Sequence, residues 1–366
     1  MSTATYRDPP PFCPNPACAF HQDPCAAWRW IRAGCYARRA APQRIQRFQC
    51  RHCRRHFSSQ TFHPSYWLKR PALLPEVFHQ LVSCAGYRQI ARHLRVSPQT
   101  VLGHAARLGR HCLLFHQRHR PRGPLAEPLV LDGFESFEHS QFYPTRFHVV
   151  AGQRSHYFYG FTDSELRRSG RMTGAQRRRR AALEARLGRP DPRSTEREVS
   201  ALIALLAPTP QRLELHTDEH TDYPRALRRL PHLTVTHRTI SSRAARTPHH
   251  PLWAINLLDL LLRHSGANFK RETIAHSKRR QSAIERMFVF LVWRNHLKWF
   301  SERRHDQTPA MRLGLETRRR TVGEVLSERL FPSRVALPRR WAAYYWREIQ
   351  TRVFARNRAH RLRYAV

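Results

Sequence analysis

Three aspartates beside or inside apolar segments are the residues of this chain best suited to bind divalent cations. Asp132 follows a run of Leu, Val and Leu, Asp218 follows a second apolar run, and Asp259 lies inside a long apolar stretch. The chain has 26 acidic residues against 65 Lys and Arg, so the positions of its acids are informative. A buried carboxylate is costly unless a positive charge meets it. Together, the three would hold two hard cations for phosphoryl transfer on nucleic acid.

Two close cysteine pairs near the N-terminus predict a zinc site. Cys13 and Cys18 form the first pair, and Cys50 and Cys53 form the second. Each pair places two thiolates on one turn, so that two turns can complete a tetrahedral zinc site. A segment this short buries little surface, and the metal would supply its folding energy. We therefore expect a zinc ribbon at 1–62. Other candidate ligands remain: Cys25, Cys35, His21 and His52.

The next segment, residues 63–122, has the pattern of a helix-turn-helix. Ser97 is a suitable N-cap and Pro98 suits the first helical position. Apolar residues then recur at i, i+4 and i+7, which predicts an amphipathic recognition helix. A plain helical hairpin is the alternative, and 116–122 is expected to be a basic linker. The polar residues predicted on the outer face, facing a DNA groove, are Gln99, Thr100, His104 and Arg107.

Residues 123–300 alternate between strand-like and helix-like patterns. Asp132 ends the first predicted strand, and two further strands follow as a meander. A basic helical insertion is expected at 165–200, where the charge run is either a solvated face or a DNA contact. Then come a helix, a strand leading to Asp218, a helix, another strand and the helix with Asp259. This predicts an α/β domain with a mixed sheet and flanking helices.

The last segment, 301–366, is expected to be a basic helical extension. Its aromatic residues lie among arginines, a mixture that can stack on exposed bases. Packing of a terminal helix onto the core is the favoured interpretation for Trp341, Tyr344 and Tyr345. An earlier apolar helix, 282–299, is expected to belong to the core.

The charge of the whole chain points to a polyanionic partner. The formal net charge is +39 and the pI about 11.5, so nucleic acid is the expected partner and a basic structural protein is an alternative. No apolar run is long enough to span a membrane, and no secretory segment is evident. We therefore expect a cytoplasmic, nucleoid-associated protein. Its eight cysteines then favour metal binding or burial over disulfides.

Four motifs resemble those of bacterial insertion-sequence transposases of the DDE superfamily, which have a zinc ribbon and helix-turn-helix before an RNase H-like catalytic domain. They are LDGFESFE, HTDEHTDY, AINLLDLLLRHSGANFKRETIAHSKRR and TPAMRLGL. The resemblance implies binding of double-stranded element ends and target DNA, followed by strand cleavage and transfer with two Mg²⁺ or Mn²⁺. It also implies a homo-oligomer on DNA. The acids of such a fold arise from the first strand, the fourth strand and a later helix.

The third acid departs from the family pattern. Where such families often have Asn-x-x-Glu, this chain has Asn256-Leu-Leu-Asp259, and the shorter Asp reaches one methylene less far. Arg263 lies one turn on, where the family often has a basic residue that the resemblance assigns to DNA. Glu272 and Glu285 are alternative third ligands.

Two further acids and a second function remain open. Glu135 and Glu219 lie near the first two aspartates and could support them. A catalytically inactive, transposase-derived DNA-binding regulator is the alternative function. The presence of acids at all three positions favours an active enzyme.

Overall fold

The computed structural model describes residues 9–241, 243–245 and 247–354. The first unit is an antiparallel sheet in the order β1-β2-β3. Its strands are β1 (Trp30–Ala37), β2 (Arg44–Cys50) and β3 (His56–Ser58), and short 3₁₀ turns lie at Ala19–His21 and Ser59–Phe62. This small sheet buries a few aromatic rings and the cysteine side chains.

Three helices follow the ribbon: α1 (Leu73–Leu81), α2 (Tyr87–His93) and α3 (Pro98–His119). The predicted N-cap of α3 is confirmed, because Ser97 Oγ accepts a hydrogen bond from the Thr100 amide at 3.2 Å. The sequence expected a basic linker from His116, but α3 continues to His119 and buries His116 against the sheet.

A five-stranded mixed sheet forms the centre of the molecule, in the order β6-β5-β4-β7-β8. Its strands are β4 (Leu129–Phe137), β5 (Pro144–Gly152), β6 (Phe158–Glu165), β7 (Gln211–Thr217) and β8 (Leu233–Thr239). Strands β4, β5 and β6 pair antiparallel, which confirms the predicted meander. Strand β7 then pairs parallel with both β4 and β8.

Five further helices belong to this part of the described chain, and all except the first bury residues in its core. They are α4 (Gly174–Leu187), α5 (Ser194–Leu206), α6 (Asp222–Leu227), α7 (Trp253–Ser265) and α8 (Arg280–Val292), followed by a π-helical turn at Trp293–Leu297. Three short helices end the described chain: α9 (Pro309–Arg312), α10 (Val322–Val325) and α11 (Arg339–Tyr345). The architecture is therefore mixed α/β, as the sequence predicts.

The core consists of two large apolar clusters, one on each face of the sheet. Alternation along β4 assigns its side chains: Leu129 and Leu131 face the cluster formed with α5 and α6, whereas Val130 and Phe134 face the cluster formed with α3, α7 and α8. Asp132 has the parity of Val130 and Phe134. It therefore points to the α7 face.

Helix α3 packs closely against α8, because Gly109 allows the two backbones to approach. A Cβ atom at this position would lie 2.6 Å from the Cα of Glu285. The expected aromatic packing near the C-terminus is confirmed: Trp341 is fully buried and its indole donates to the Phe161 carbonyl at 3.1 Å. Within the described ranges, no helix is both long and apolar enough to cross a membrane.

Candidate functional site

The four predicted cysteine ligands converge at one point of the N-terminal sheet. Their sulfur atoms all lie within 4.8 Å of one another, with Cys13 to Cys53 at 3.5 Å and Cys18 to Cys50 at 4.0 Å. Zn–S bonds of about 2.3 Å in a tetrahedron give S–S separations of roughly 3.8 Å. The donor set and the spacing both fit zinc. These four cysteines can therefore bind one zinc ion.

The local environment distinguishes these sulfurs from the alternative ligands. His21 Nδ1 bonds the Cys13 carbonyl oxygen at 2.7 Å and its Nε2 bonds Ser333 Oγ at 2.8 Å, so neither ring nitrogen faces the sulfurs. Cys25 is exposed. Burial acts to raise the pKa of the Cys50 thiol. Hydrogen bonds from the Cys53 amide and the Trp28 indole outweigh this effect, and the pKa falls to about 7. That environment favours the thiolate, the form that binds metal.

The ribbon also packs on a segment far along the chain. Besides the contact between His21 and Ser333, the guanidinium of Arg334 lies 3.9 Å from the centre of the Phe12 ring. The Arg329 amide donates to the Phe62 carbonyl oxygen at 2.8 Å. The cysteine turns therefore position a docking face for the C-terminal segment as well as a metal site.

Strand pairing relates the positions of the first two predicted catalytic aspartates. In the parallel pair β4–β7, Val130 is opposite His216. Asp132 lies two residues beyond Val130 on β4, and Asp218 directly follows the end of β7 at Thr217. Neighbouring strands are about 4.8 Å apart, so both residues lie toward the same end of this strand pair.

Helix α7 brings Asp259 to the face of β4 that carries Asp132. Arg263 lies one turn beyond Asp259 on this helix, and its guanidinium is 4.3 Å from the centre of the Phe134 ring. Phe134 and Asp132 are two residues apart on β4 and share a face. The surface of α7 that carries Asp259 and Arg263 therefore faces the surface of β4 that carries Asp132.

The electrostatics of Asp259 reflect this proximity. Burial, reinforced by the negative charge of Asp132, raises the pKa of Asp259 to about 8, against a smaller opposing effect of Arg263. Its Oδ1 atom is buried without a hydrogen-bond partner. A carboxylate with a raised pKa and a buried oxygen that lacks a hydrogen-bond partner is one that a bound cation would stabilise.

Tyr223, at the start of α6, is a neighbour of the three acids that the sequence did not reveal. Burial, with the charges of Asp132, Asp218 and Asp259, raises the pKa of its phenol well above the usual value. One buried ring therefore lies within electrostatic range of the three carboxylates. It stays protonated and is a poor nucleophile.

The three aspartates form a more open set than the cysteines. Among the described residues, the only group of three or more metal-binding side chains whose ligand atoms all lie within 4.8 Å is the cysteine cluster. Asp132 Oδ1 accepts from the Gly133 amide at 2.6 Å, and Asp218 Oδ1 accepts from the His220 amide at 3.0 Å. These local bonds orient the two carboxylates.

A second ring of polar residues surrounds the aspartates. Arg146 lies opposite Glu135 in the β4–β5 ladder and donates to it at 2.5 Å. The other end of the same guanidinium is 2.7 Å from His220 Nε2. Arg146 thus joins two loops at the edge of the sheet. Sequence reasoning missed Arg146 and His220, since neither belongs to a motif and cross-strand neighbours depend on register.

The alternative third acids lie in other environments. Glu285 is buried between α3 and α8, where its Oε1 pairs with Arg347 Nε at 2.8 Å. Glu272 is exposed in the loop after α7, and Glu219 is exposed next to Asp218. The charge of Asp132 acts on Asp259, whereas the side chains that act on Glu285 are Arg347, Arg110 and Gln281.

The predicted recognition helix is only partly open to solvent. Gln99 is exposed and Thr100 is half-buried at the start of α3. His104, expected on the outer face, is instead buried, and Arg107 donates from Nη1 to the Pro64 carbonyl oxygen at 2.9 Å. The reason is that α3 is long and its polar side is covered by the C-terminal segment and the chain before α1.

Comparisons with known proteins add little to this geometry. No protein-family model matches the chain, and no curated protein matches it. Among solved structures, it is similar to a chain of a simian T-cell lymphotropic virus intasome in complex with PP2A regulatory subunit B56 gamma. The identity is 18%, the TM-score 0.26, and the match covers 68% of this chain and 74% of that chain. A similarity this distant supports no conclusion about function.

Proposed function

We propose that this protein is an insertion-sequence transposase of the DDE type. It binds double-stranded element ends and catalyses metal-dependent strand cleavage and strand transfer on DNA. Its central domain, 123–300, is RNase H-like, and the zinc ribbon and helices before it bind DNA. The observation that supports the proposal is that Asp132 and Asp218 lie toward the same end of the neighbouring strands β4 and β7, while the surface of α7 that carries Asp259 faces β4.

The strand order supports this assignment of the acids. β4 lies at the centre of the sheet and β7 is its parallel neighbour. Carboxyl ends of parallel strands meet at one edge of a sheet, which is where ligands bind in open α/β folds. In the proposed fold, an acid from the first strand, one that follows the fourth strand and one from a later helix would meet there.

The open spacing of the acids agrees with a pair of ions. Two catalytic metals lie about 3.5–4 Å apart, so carboxylates at opposite ends of the pair need not approach as closely as ligands of one ion. When bound, Mg²⁺ or Mn²⁺ would activate the attacking oxygen and stabilise the leaving oxygen. Asp132 lies between the other two acids and would hold both ions, while Asp218 and Asp259 would each hold one.

Residues around the acids support binding of a nucleic-acid backbone. Arg263 lies one turn from Asp259, and Arg146 contacts His220, whose amide bonds Asp218, so cations lie near two of the carboxylates. Such contacts position phosphates without reading sequence. Sequence contacts are assigned to the start of α3, where Gln99 and Thr100 remain accessible.

The proposal is tested by incubating the protein with labelled duplexes that contain the DNA flanking its coding region. We expect strand cleavage that requires Mg²⁺ or Mn²⁺ and is absent in Asp132→Asn, which keeps its affinity for the duplex. Asp306→Asn, an exposed aspartate outside the site, is the matched control and should cut as the wild type does. Binding without cutting by the wild type would instead identify a DNA-binding regulator.

A further inference from the structure

Helix α4 is a 14-residue helix without a single buried residue. Thr173 and Gln176 form a capping box at its N-terminus, and Gly188, at φ 77°, ends it. Helices of this length are marginal in water unless packing supports them. The exposure of this helix is therefore best explained if its surface binds another molecule.

The two sides of α4 differ in chemistry. On the inner side, the Glu184 carboxylate forms a salt bridge with the Arg167 guanidinium at 2.9 Å. It lies 3.6 Å from the Arg180 guanidinium. The outer side, termed here the arginine face, contains only arginines and alanines. Its exposed residues are Ala175, Arg177, Arg178, Arg179, Ala181, Ala182, Ala185 and Arg186.

The arginine face is electrostatically unbalanced. Within the described chain, no salt bridge joins Arg177, Arg178 or Arg179 to a carboxylate; the one acid of the helix is engaged on its inner side. These guanidinium groups therefore form a surface of positive charge that no carboxylate of the described chain balances. An external polyanion would supply the balancing charge, and the small alanines between the arginines let it approach the helix closely.

The insertion that carries α4 begins and ends at a cavity near the turn that carries Asp218. A cavity of about 530 Å³ is lined on one side by the roots of the insertion, including Arg167 and Arg189. On its other side lie Glu135, Arg146 and His220. His220 is also the residue whose amide bonds Asp218. A polymer that lies on α4 and across this cavity would approach the turn that carries Asp218.

We propose that the arginine face of α4 binds the phosphodiester backbone of duplex DNA and holds the strand that enters the aspartate site. Arg177 and Arg186 are nine residues apart, or roughly 14 Å along the helix. That length matches about four phosphates at ~3.4 Å of axis per nucleotide. This inference rests on the proposed DNA partner but not on the proposed catalysis.

The test measures the salt dependence of binding to an arbitrary duplex, because backbone contacts need no specific sequence. Each lost phosphate contact reduces the slope of log K against log salt by about 0.9. Arg178→Ala with Arg179→Ala should therefore reduce the slope by roughly two units and weaken binding about tenfold or more at low salt. Alanine is the better helix former, so α4 persists in this variant.

Two matched variants control the experiment. Arg178→Lys with Arg179→Lys keeps the charge and should keep most of the slope. Arg212→Ala with Arg228→Ala removes the same charge from exposed positions on β7 and after α6, and should leave the slope close to that of the wild type.

Each of the other outcomes overturns the inference. An unchanged slope in the alanine variant would show that the arginine face is only solvated. An equal loss in the control pair would assign the effect to total charge. A loss confined to an RNA duplex would assign the face to another partner. Failure of the wild type to bind any duplex would refute the proposed function too.

Discussion

The cysteine cluster and the proposed aspartate site are built in opposite ways. The cysteines come from two short turns of one small sheet, and their sulfurs already lie within 4.8 Å of one another. The aspartates come from two strands and a helix and remain more widely spaced. Asp259 has a pKa raised to about 8 by burial and by Asp132. The cysteine site already has its ligand atoms at the spacing that one ion needs, whereas the aspartate site brings together carboxylates whose negative charges oppose one another.

This difference separates a metal used for folding from a metal used for chemistry. In the ribbon, removing a ligand should cost stability, because zinc contributes to the folding free energy. In the sheet, removing an acid should reduce activity but not stability, because it removes one of the negative charges that repel each other in the metal-free protein. Substitutions at the two sites should therefore have opposite consequences.

The largest expected effect is on catalysis at the sheet edge. Asp218→Asn keeps an oxygen for the His220 amide but loses the negative charge, so cleavage should fall by about 10³-fold. The melting temperature of the metal-free protein should not decrease. Cleavage assays and thermal melts on the same preparation check both. A variant that melts much lower than the wild type would break the comparison.

The next largest effect is on stability at the ribbon. Cys50→Ser removes one of four thiolates, so bound zinc should fall from one per chain toward zero and the melting temperature by about 5–10 °C. Loss of zinc should also weaken the contact between the ribbon and the segment around Ser333. Metal analysis and calorimetry measure these changes. Cys25→Ser, at an exposed position, is the control and should change neither.

A smaller effect concerns pH. Because the pKa of Asp259 is raised in the folded protein above its ordinary value of 3.8, its contribution to stability is full below about pH 4. That contribution is lost as pH rises through about 8. Asp259→Asn should remove this dependence and melt roughly 3 °C or more above the metal-free wild type at pH 8.5. Mg²⁺ should stabilise the wild type more at pH 8.5 than at pH 6, and the opposite order would contradict the assignment.

A modest effect is expected at His21. Both of its ring nitrogens are engaged outside the cluster, so His21→Ala should keep one zinc per chain. The melting temperature should fall slightly, by about 1–3 °C, because the bond to Ser333 is lost. Zinc loss in this variant would show that the histidine is a ligand.

The smallest effect separates the candidate third acids. Glu272 is exposed, so Glu272→Gln should leave both the cleavage rate and its Mg²⁺ dependence unchanged within about twofold. The matched change at Asp259 should abolish cleavage. Equal losses in the two variants would remove Asp259 from the site.

Local patterns were enough to predict most of the elements. β-Branched and aromatic residues predicted β5 and β6, the Ser97–Pro98 pair predicted the start of α3, and the cysteine pairs predicted the cluster. These signals depend on neighbours within a few residues. The sequence did not predict the burial of His104 or the continuation of α3 to His119, because both follow from packing against distant segments.

The environment of the aspartates was beyond sequence reasoning for the same reason. Tyr223, Arg146 and His220 reach the site only through the β4–β5 register and the turn after β7. The roles of Asp132, Asp218 and Asp259 stay predictions until cleavage is measured.

The sequence by itself determined the charge, the strand and helix periods and the paired thiols, since each is set by composition or by short spacing. Only the tertiary structure decided that β4 and β7 are parallel neighbours, that the surface of α7 with Asp259 faces β4, and that α4 exposes its arginines. Register and helix packing depend on long-range burial of apolar faces, which no local pattern encodes.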